Sequence, residues 1–393
     1  MEKRPTPLNC FLAFLRLGIT AFGGPAMIKY IKELVCKKYN WVKDEDFDHG
    51  VALVQTIPGA TAMQAAAYAG LKAGGGLCAL SSYTGFSIPA FFLILILTTA
   101  YKYALDISYI SACFNGLKVV VVAIVANATI SFGKKLVKSW KDLILVLFSA
   151  FFLFKKQNPV IIILICAILG LFFYKNITSP LKSSSKIGIK EIIKDSKVKS
   201  LLKFTCWLFM VVLLILVFLY FFDTNLFKLC LIMMKVDFFA YGGGYASLPL
   251  MFHEIVDKRG LLDAKVFMDG IALGQITPGP IVITAAFVGF LLYGFLGAVF
   301  STWAIFTPSF FILLITTPFF EHFKEQTMFK RAIRGILSSF VGLLLAVLIS
   351  FLLAIKWNLL KSILGLIGFI ALFYGIDILY VVLITGAISA FIL

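Results

Sequence analysis

Charge is scarce in this chain. Of 393 residues 14% are charged, 19 are acidic and three are histidine, and that poverty excludes several classes of function at once. His49, His253 and His322 lie far apart, so neither a metal-ligand spacing nor a clustered acid–base site is written along the sequence; no enzyme, metal or cofactor is expected. A Walker-type phosphate loop is absent, which argues against an ATP-driven pump with its own motor. The stretch GGGYASLP (242–249) lacks the strand context of a dinucleotide fingerprint. The seven cysteines are scattered without a C-x-x-C and sit mostly inside apolar runs, where they read as small hydrophobes in helix packing.

Apolar residues take the place of charge. They make up 61% of the chain, and the mean hydropathy is +0.99. Runs of about 20 apolar residues, long enough to cross a bilayer, recur throughout, as in CWLFMVVLLILVFLYFF (206–222). The N-terminal MEKRPTPLNCFLAFLRLG lacks a signal-peptide cleavage pattern and leads straight into the fold. An all-α polytopic membrane protein, in contact with the lipid bilayer, is the class these features define. The net charge of +17 comes from lysines clustered between the apolar runs, which reads as topology-setting rather than nucleic-acid binding.

The chain repeats itself. An offset of 220 positions sets Gly50, Ala52, Leu53, Gln55, Pro58 and Gly59 on Gly270, Ala272, Leu273, Gln275, Pro278 and Gly279. An offset of 219 sets AFGGP (21–25) on AYGGG (240–244), Pro89 on Pro308 and Gly116 on Gly335. Shared Gly, Pro and Gln in one register mark an internal duplication. The expected organisation is a first transporter repeat over 1–175, a Lys/Ser-rich linker over 176–200, a connecting transmembrane helix over 201–226 and a second repeat over 227–393. About six spans per half are expected, including 8–34 and 51–73, and the extra helix between the halves turns the second repeat upside down. With the N-terminus and linker cytoplasmic and the C-terminus outside, the inner segments hold Lys134, Lys135, Lys138, Lys141, Lys258, Arg259, Lys265, Lys330, Arg331 and Arg334. The loop 29–50, where Lys32, Lys37, Lys38 and Lys43 are offset by Glu33, Asp44, Glu45, Asp46 and Asp48, is the exception to the charge rule.

Inverted repeats with discontinuous helices near the midplane are a recurrent transporter design. Four breaks stand at matched positions: Gly23, Gly24 and Pro25; Pro58 and Gly59; Gly242, Gly243 and Gly244; Pro278, Gly279 and Pro280. Each exposes a half-helix N-terminus, where unpaired N–H groups and the helix dipole attract an anion. Gln55, Gln275, Gln64, Thr61, Thr277 and Thr284 supply neutral donors beside the breaks. Arg16 and Lys235 each lie seven residues before a glycine break and are repeat-equivalent cations, expected to balance the charge of a bound anion. Asp237 is the candidate proton carrier. Snorkelling cations and breaks that merely kink or closely pack the helices are the competing readings.

FLRLGITAFGGPA followed by a loop tryptophan (Trp41), the Gln55-x-x-Pro58-Gly59 motif, and FAYGGGYASLPL with ALGQITPGP in the second half resemble the CHR chromate ion transporter family in its long, two-domain form. The resemblance covers nearly the whole chain. It implies a secondary membrane transporter that exports chromate, with sulfate as the natural look-alike, driven by protons or membrane potential; a homodimer is left open. The Gly-Gly-Pro and Pro-Gly-Pro motifs carry over to Gly23, Gly24, Pro25, Pro58 and Gly59, and to Gly242, Gly243, Pro278, Gly279 and Pro280. The sequence departs from the family at Ala60, which replaces the second proline of the first Pro-Gly-Pro. Met27, Ile28 and Lys29 occupy the stretch where many relatives have a histidine, and Leu261-Leu262 replaces the second loop tryptophan.

Overall fold

The structure, a computed structural model, describes residues 5–22, 26–104, 107–175, 189–320 and 326–392. Every regular element among them is helical. In the first repeat these are α1 (Pro7–Thr20), α2 (Ala26–Lys32), α3 (Asp44–Val54), α4 (Thr61–Gly74), α5 (Gly76–Ala104), α6 (Ser108–Leu136), α7 (Trp140–Phe154) and α8 (Pro159–Phe173). The linker region contributes α9 (Ile189–Lys194) and α10 (Ser196–Phe222). The second repeat contains α11 (Thr224–Phe238), α12 (Gly244–Phe252), α13 (Ala264–Ile276), α14 (Thr284–Thr316), α15 (Thr327–Ala354), α16 (Leu359–Phe373) and α17 (Ile378–Ile392).

The duplication extends to backbone irregularities. α2 and α12 both end in a π-turn, Glu33–Lys38 and His253–Asp257. The α4–α5 junction turns at Gly75 (φ +86°), and α14 breaks at Gly294 (φ +63°), one position from its equivalent in the repeat. Gly59 (φ +114°) and Gly279 (φ +103°) form a matched pair. Such dihedrals are cheap only for glycine, which explains why these positions are the ones the two halves share.

The direction of each helix follows from its contacts. The start of α1 lies beside α5, where the Cys78 thiol donates to the Pro5 carbonyl. α3 folds back along α4, with Gly50 pressed onto the Tyr68 ring. Lys32 of α2 holds Asp48 of α3 at 2.7 Å. The α1/α2 and α3/α4 pairs therefore enter and leave at the same end of the bundle, the end at which α6, α8 and the linker also meet. The spans expected at 8–34 and 51–73 are thus re-entrant hairpins, not crossings. That correction places the loop 29–50, the exception to the charge rule, at the lysine-rich end. In the second repeat the equivalent hairpins enter from the far end, which corrects the expectation for Lys258, Arg259 and Lys265: they follow the π-turn or start α13 and so lie at the far end, not with the inner segments. Among the described residues five helices are long and apolar enough to cross a membrane: α5, α6, α10, α14 and α15. α7, α8, α16 and α17, at 15 residues and about 22 Å each, fall short of a ~30 Å hydrocarbon core.

The two repeats are interwoven. α7 and α8 pack on α15, and α16 and α17 pack on α6, so each repeat's last helices clasp the other's long helix. Together these six form a frame. The hairpins and α5 of the first repeat pack with α11 and α14 of the second and form a core body. α10 lies at the periphery with Trp207, Phe218 and Phe221 facing outward, as a lipid-facing helix should. At the linker end the halves are tied by Asp142, fully buried in the first turn of α7. It accepts from the Arg334 guanidinium at 3.1 and 2.9 Å, and from the Tyr174 hydroxyl.

Candidate functional site

At the centre the chain crosses itself twice. The Gly59 N–H donates to the Ala240 carbonyl at 3.0 Å, and the Gly279 N–H donates to the Ala21 carbonyl at 2.9 Å. These bonds are equivalents under the repeat. Each satisfies backbone freed where a helix ends in mid-bundle, the condition under which irregular backbone survives at membrane depth. Gln64, fully buried, donates through Nε2 to the Pro58 carbonyl at 2.7 Å and the Ser309 carbonyl at 3.2 Å, stitching the first break to the proline kink of α14.

A cavity of about 440 Å³ opens beside this crossing. Its wall is built from the first turns of four helical segments: Met27 and Ile28 of α2; Thr61 and Ala62 of α4; Gly244 and Tyr245 of α12; and Ile281 of the 3₁₀ turn that starts α14. The caps that precede three of them, Ala60, Gly243 and Pro280, supply no side-chain hydrogen bond to the helix start. α1, α7, α8, α10, α11 and α16 are capped by Thr6, Ser139, Asn158, Asp195, Asp223 and Asn358, whereas α3, α6, α13 and α15 also lack such caps, so it is the convergence of the three starts on one cavity that sets them apart. Uncapped first-turn N–H groups are donors that a ligand or water must satisfy. An anion gains about 0.3–1 kcal/mol at each such end.

Side chains add to the wall. Gln55 and Gln275, equivalent under the repeat, follow α3 and end α13. The Gln275 Nε2 is buried without a hydrogen bond of standard geometry, with the Tyr245 hydroxyl as its polar neighbour. A buried donor that is not well satisfied is costly, and a polar ligand beside it would relieve that cost. Thr277 and Gly274 complete this side, with the Thr277 hydroxyl donating to the Gly274 carbonyl at 2.8 Å. Lys135, near the end of α6, is the one charged side chain on the wall among the described residues. A neighbouring cleft shares Thr56, Leu136 and Leu337 with the cavity and continues past Lys330 and Arg334. The cavity therefore opens at the linker end of the bundle.

Of the residues singled out in the sequence, the structure gathers Gln55, Thr61, Gly242, Gly243, Gly244, Gln275, Thr277, Gly279 and Pro280 on this one wall. Pro58, Gly59 and Pro278 lie outside it; Gly59 works in the backbone crossing behind. Arg16 is exposed on α1 and Lys235 is bound to the buried Glu254 at 2.7 Å, so neither reaches the cavity. Arg259 also binds Glu254. Asp237 is fully buried, its Oδ2 accepting the Ser309 N–H at 2.6 Å while Oδ1 has no partner, and it stands off the wall. Gly23, Gly24 and Pro25 lie outside the described residues. Lys135 and Tyr245 were missed as wall residues: Lys135 belongs to a lysine pair at a helix end, which reads as a topology signal, and Tyr245 has no marker beyond its place after three glycines. Among the described residues no group of three or more His, Cys, Asp or Glu gathers as a metal site would require.

A bundle of inverted repeats whose broken helices surround a central cavity is the architecture of a membrane transporter. Comparison with known proteins places it more narrowly. The chain belongs to the chromate transporter family, whose model matches residues 8–171 and again 227–390, once in each repeat. It is 43% identical to an uncharacterized transporter of Methanocaldococcus jannaschii over all of this chain and 96% of the relative. It is 27% identical to a probable chromate transport protein of Synechococcus elongatus, over 84% of this chain and 80% of that one. It is 26% identical to a chromate transport protein of Cupriavidus metallidurans, over 84% and 78%. No solved structure matches the chain.

Proposed function

We propose that the protein is a secondary active transporter that exports a tetrahedral oxyanion, chromate with sulfate as its look-alike, by alternating access. The observation that carries this reading is the convergence of helix starts without side-chain caps on one cavity, whose wall also holds the buried Gln275 amide beside Tyr245. A dianion has oxygens on all sides, and donors that converge from several helices suit it better than a single cation would. The wall carries one lysine and no carboxylate among the described residues, so the site attracts an anion and does not repel it. The relatives described as chromate transport proteins support the choice of chromate.

In this proposal the first-turn N–H groups of α4 and α12, Thr61, Gln55 and Gln275 receive the oxygens, and Lys135 draws the anion in from the aqueous side. The linker end is cytoplasmic, as the lysines of the linker and Lys134, Lys135 and Lys138 indicate, and the C-terminus is outside in the cell membrane. A cavity open to the cytoplasm is then the loading state of an exporter. Asp237, with one buried oxygen unpartnered, is the proposed carrier of a coupled proton. An anion channel is the second reading, and the closed far end of the path disfavours it.

Chromate uptake into everted vesicles, with a proton gradient imposed or abolished and sulfate as competitor, tests the reading. Gradient-driven accumulation blocked by sulfate supports it. Flux that only runs downhill favours a channel, and no flux of either anion removes oxyanions as cargo.

A further inference from the structure

Inverted repeats make a structure its own control, because every contact at one end has a counterpart position at the other. At the far end α13 packs against α5, α6, α15 and α17. Its counterpart at the linker end, α3, packs to any extent only on α2 and α4 among the described residues. The same holds for α12, which packs on α15, while α2 makes no comparable contact with α6. The core body thus touches the frame at the far end and stands away from it at the linker end, and the cavity is the resulting gap.

One buried cluster sits where the far end is shut. Asp269 of α13, 2% exposed, lies 3.4 Å from the Lys118 ammonium of α6 and accepts from the Tyr101 hydroxyl of α5 at 2.9 Å. Lys118 belongs to the frame, whereas Asp269 and Tyr101 belong to the core. The repeat positions at the linker end are His49 for Asp269, Leu337 for Lys118 and Phe320 for Tyr101. His49 is exposed there, Leu337 lines the cavity and Phe320 lines the adjoining cleft. A second ion pair between core and frame, Lys156 with Asp257 at 3.4 Å, also lies at the far end, and its counterparts, Gly375 and Lys37, have no such pairing available. The asymmetry of charge follows the asymmetry of closure.

We infer that Asp269, Lys118 and Tyr101 form the far-side gate of the transport path, an ion pair that holds the core body against the frame and must part before the cavity opens to the far side. The moving units are then the core and the frame, each built from both repeats, rather than one repeat rocking on the other. Burial makes each partner depend on the other, because removing one strands the other's charge away from water. One Asp269 oxygen takes the Tyr101 bond and the other has no hydrogen-bond partner, which leaves the carboxylate only half satisfied and the closed state only moderately favoured.

The inference rests on the alternating-access reading above, but its test needs no substrate, so its failure and that of the oxyanion assignment are separable. In the full chain with its seven cysteines replaced, a single cysteine at Ala62, on the cavity wall, is labelled by a membrane-impermeant maleimide added from either side. The unmodified gate is expected to label from the linker side only. Asp269→Asn and Lys118→Met are each expected to raise far-side labelling about tenfold while linker-side labelling falls, as a shift between two states requires. Tyr101→Phe, which removes one hydrogen bond, should shift it less in the same direction, and the exchanged pair Lys118→Asp with Asp269→Lys should restore closure. A purely structural role would lower yield or melting temperature without moving the two labelling rates in opposite senses. Unchanged labelling ratios in Lys118→Met and Tyr101→Phe overturn the gate even where Asp269→Asn does not fold.

Discussion

Replacing Gly59 by alanine perturbs the crossing in two separable ways. Its φ of +114° is unfavourable for any side chain, at about 1–2 kcal/mol. A β-carbon there would also lie 2.2 Å from the Ser309 Cβ and 3.2 Å from its Cα, so α14 must shift at its proline kink; such overpacking costs about 1–3 kcal/mol. The sum is roughly 2–5 kcal/mol, or a fall in melting temperature of roughly 4–10 °C at about 2 °C per kcal/mol for a chain of this size. Gly75→Ala is the control. It has a comparable φ of +86° but nothing within 4 Å of the added carbon, so only the backbone strain remains, roughly 2–4 °C. Gly279→Ala falls between them, because its added carbon meets only the Ala90 Cβ at 2.9 Å. Thermal unfolding of the purified proteins in one detergent ranks the three. If Gly59→Ala and Gly75→Ala melt together, the tight crossing is not what stabilises the centre of the molecule.

Lys135→Gln should raise KM for the transported anion about three- to tenfold at low ionic strength with kcat unchanged, and the difference should shrink in high salt as screening removes steering; a kcat effect that survives salt would give Lys135 another role. Arg16→Gln should leave transport within about twofold of wild type, because the side chain is exposed on α1 and away from the cavity; a tenfold loss would bring that face of α1 into the path. Asp142→Asn should cost about 2–3 kcal/mol of stability, less than the full value of a buried ion pair since Arg334 is a third exposed, and should leave KM alone. A changed KM with unchanged melting would refute that assignment.

Much of this architecture was legible in the sequence because glycine and proline report backbone directly. The matched Pro-Gly and Gly-Gly pairs located the breaks, and nine of the residues marked there line one cavity. What the chain did not disclose is direction. A run such as 8–34 has the length of a crossing whether it passes straight through or turns back at its break, so the hairpins became visible only when Gly50 was seen against Tyr68 and Lys32 against Asp48. Charged partners distant in sequence were equally hidden. Lys235 faces Glu254 in the π-turn rather than the cavity, and the Asp142–Arg334 and Lys118–Asp269 pairs join elements that no local pattern brings together. Helix periodicity gives a face, but which neighbour meets that face is settled by packing across the repeats.

The most direct test of the central claim is equilibrium binding of radiolabelled chromate to the purified protein, compared with Gly243→Val. Gly243 precedes α12 at φ +87°, and a β-carbon there would lie 2.5 Å from the Thr61 Oγ1, inside the converging helix starts. The account predicts saturable binding, displaced by sulfate, in the wild type and its loss in Gly243→Val that still elutes and melts as a folded protein. Equal binding by both would contradict it, because the anion would then be held somewhere other than where the broken helices meet.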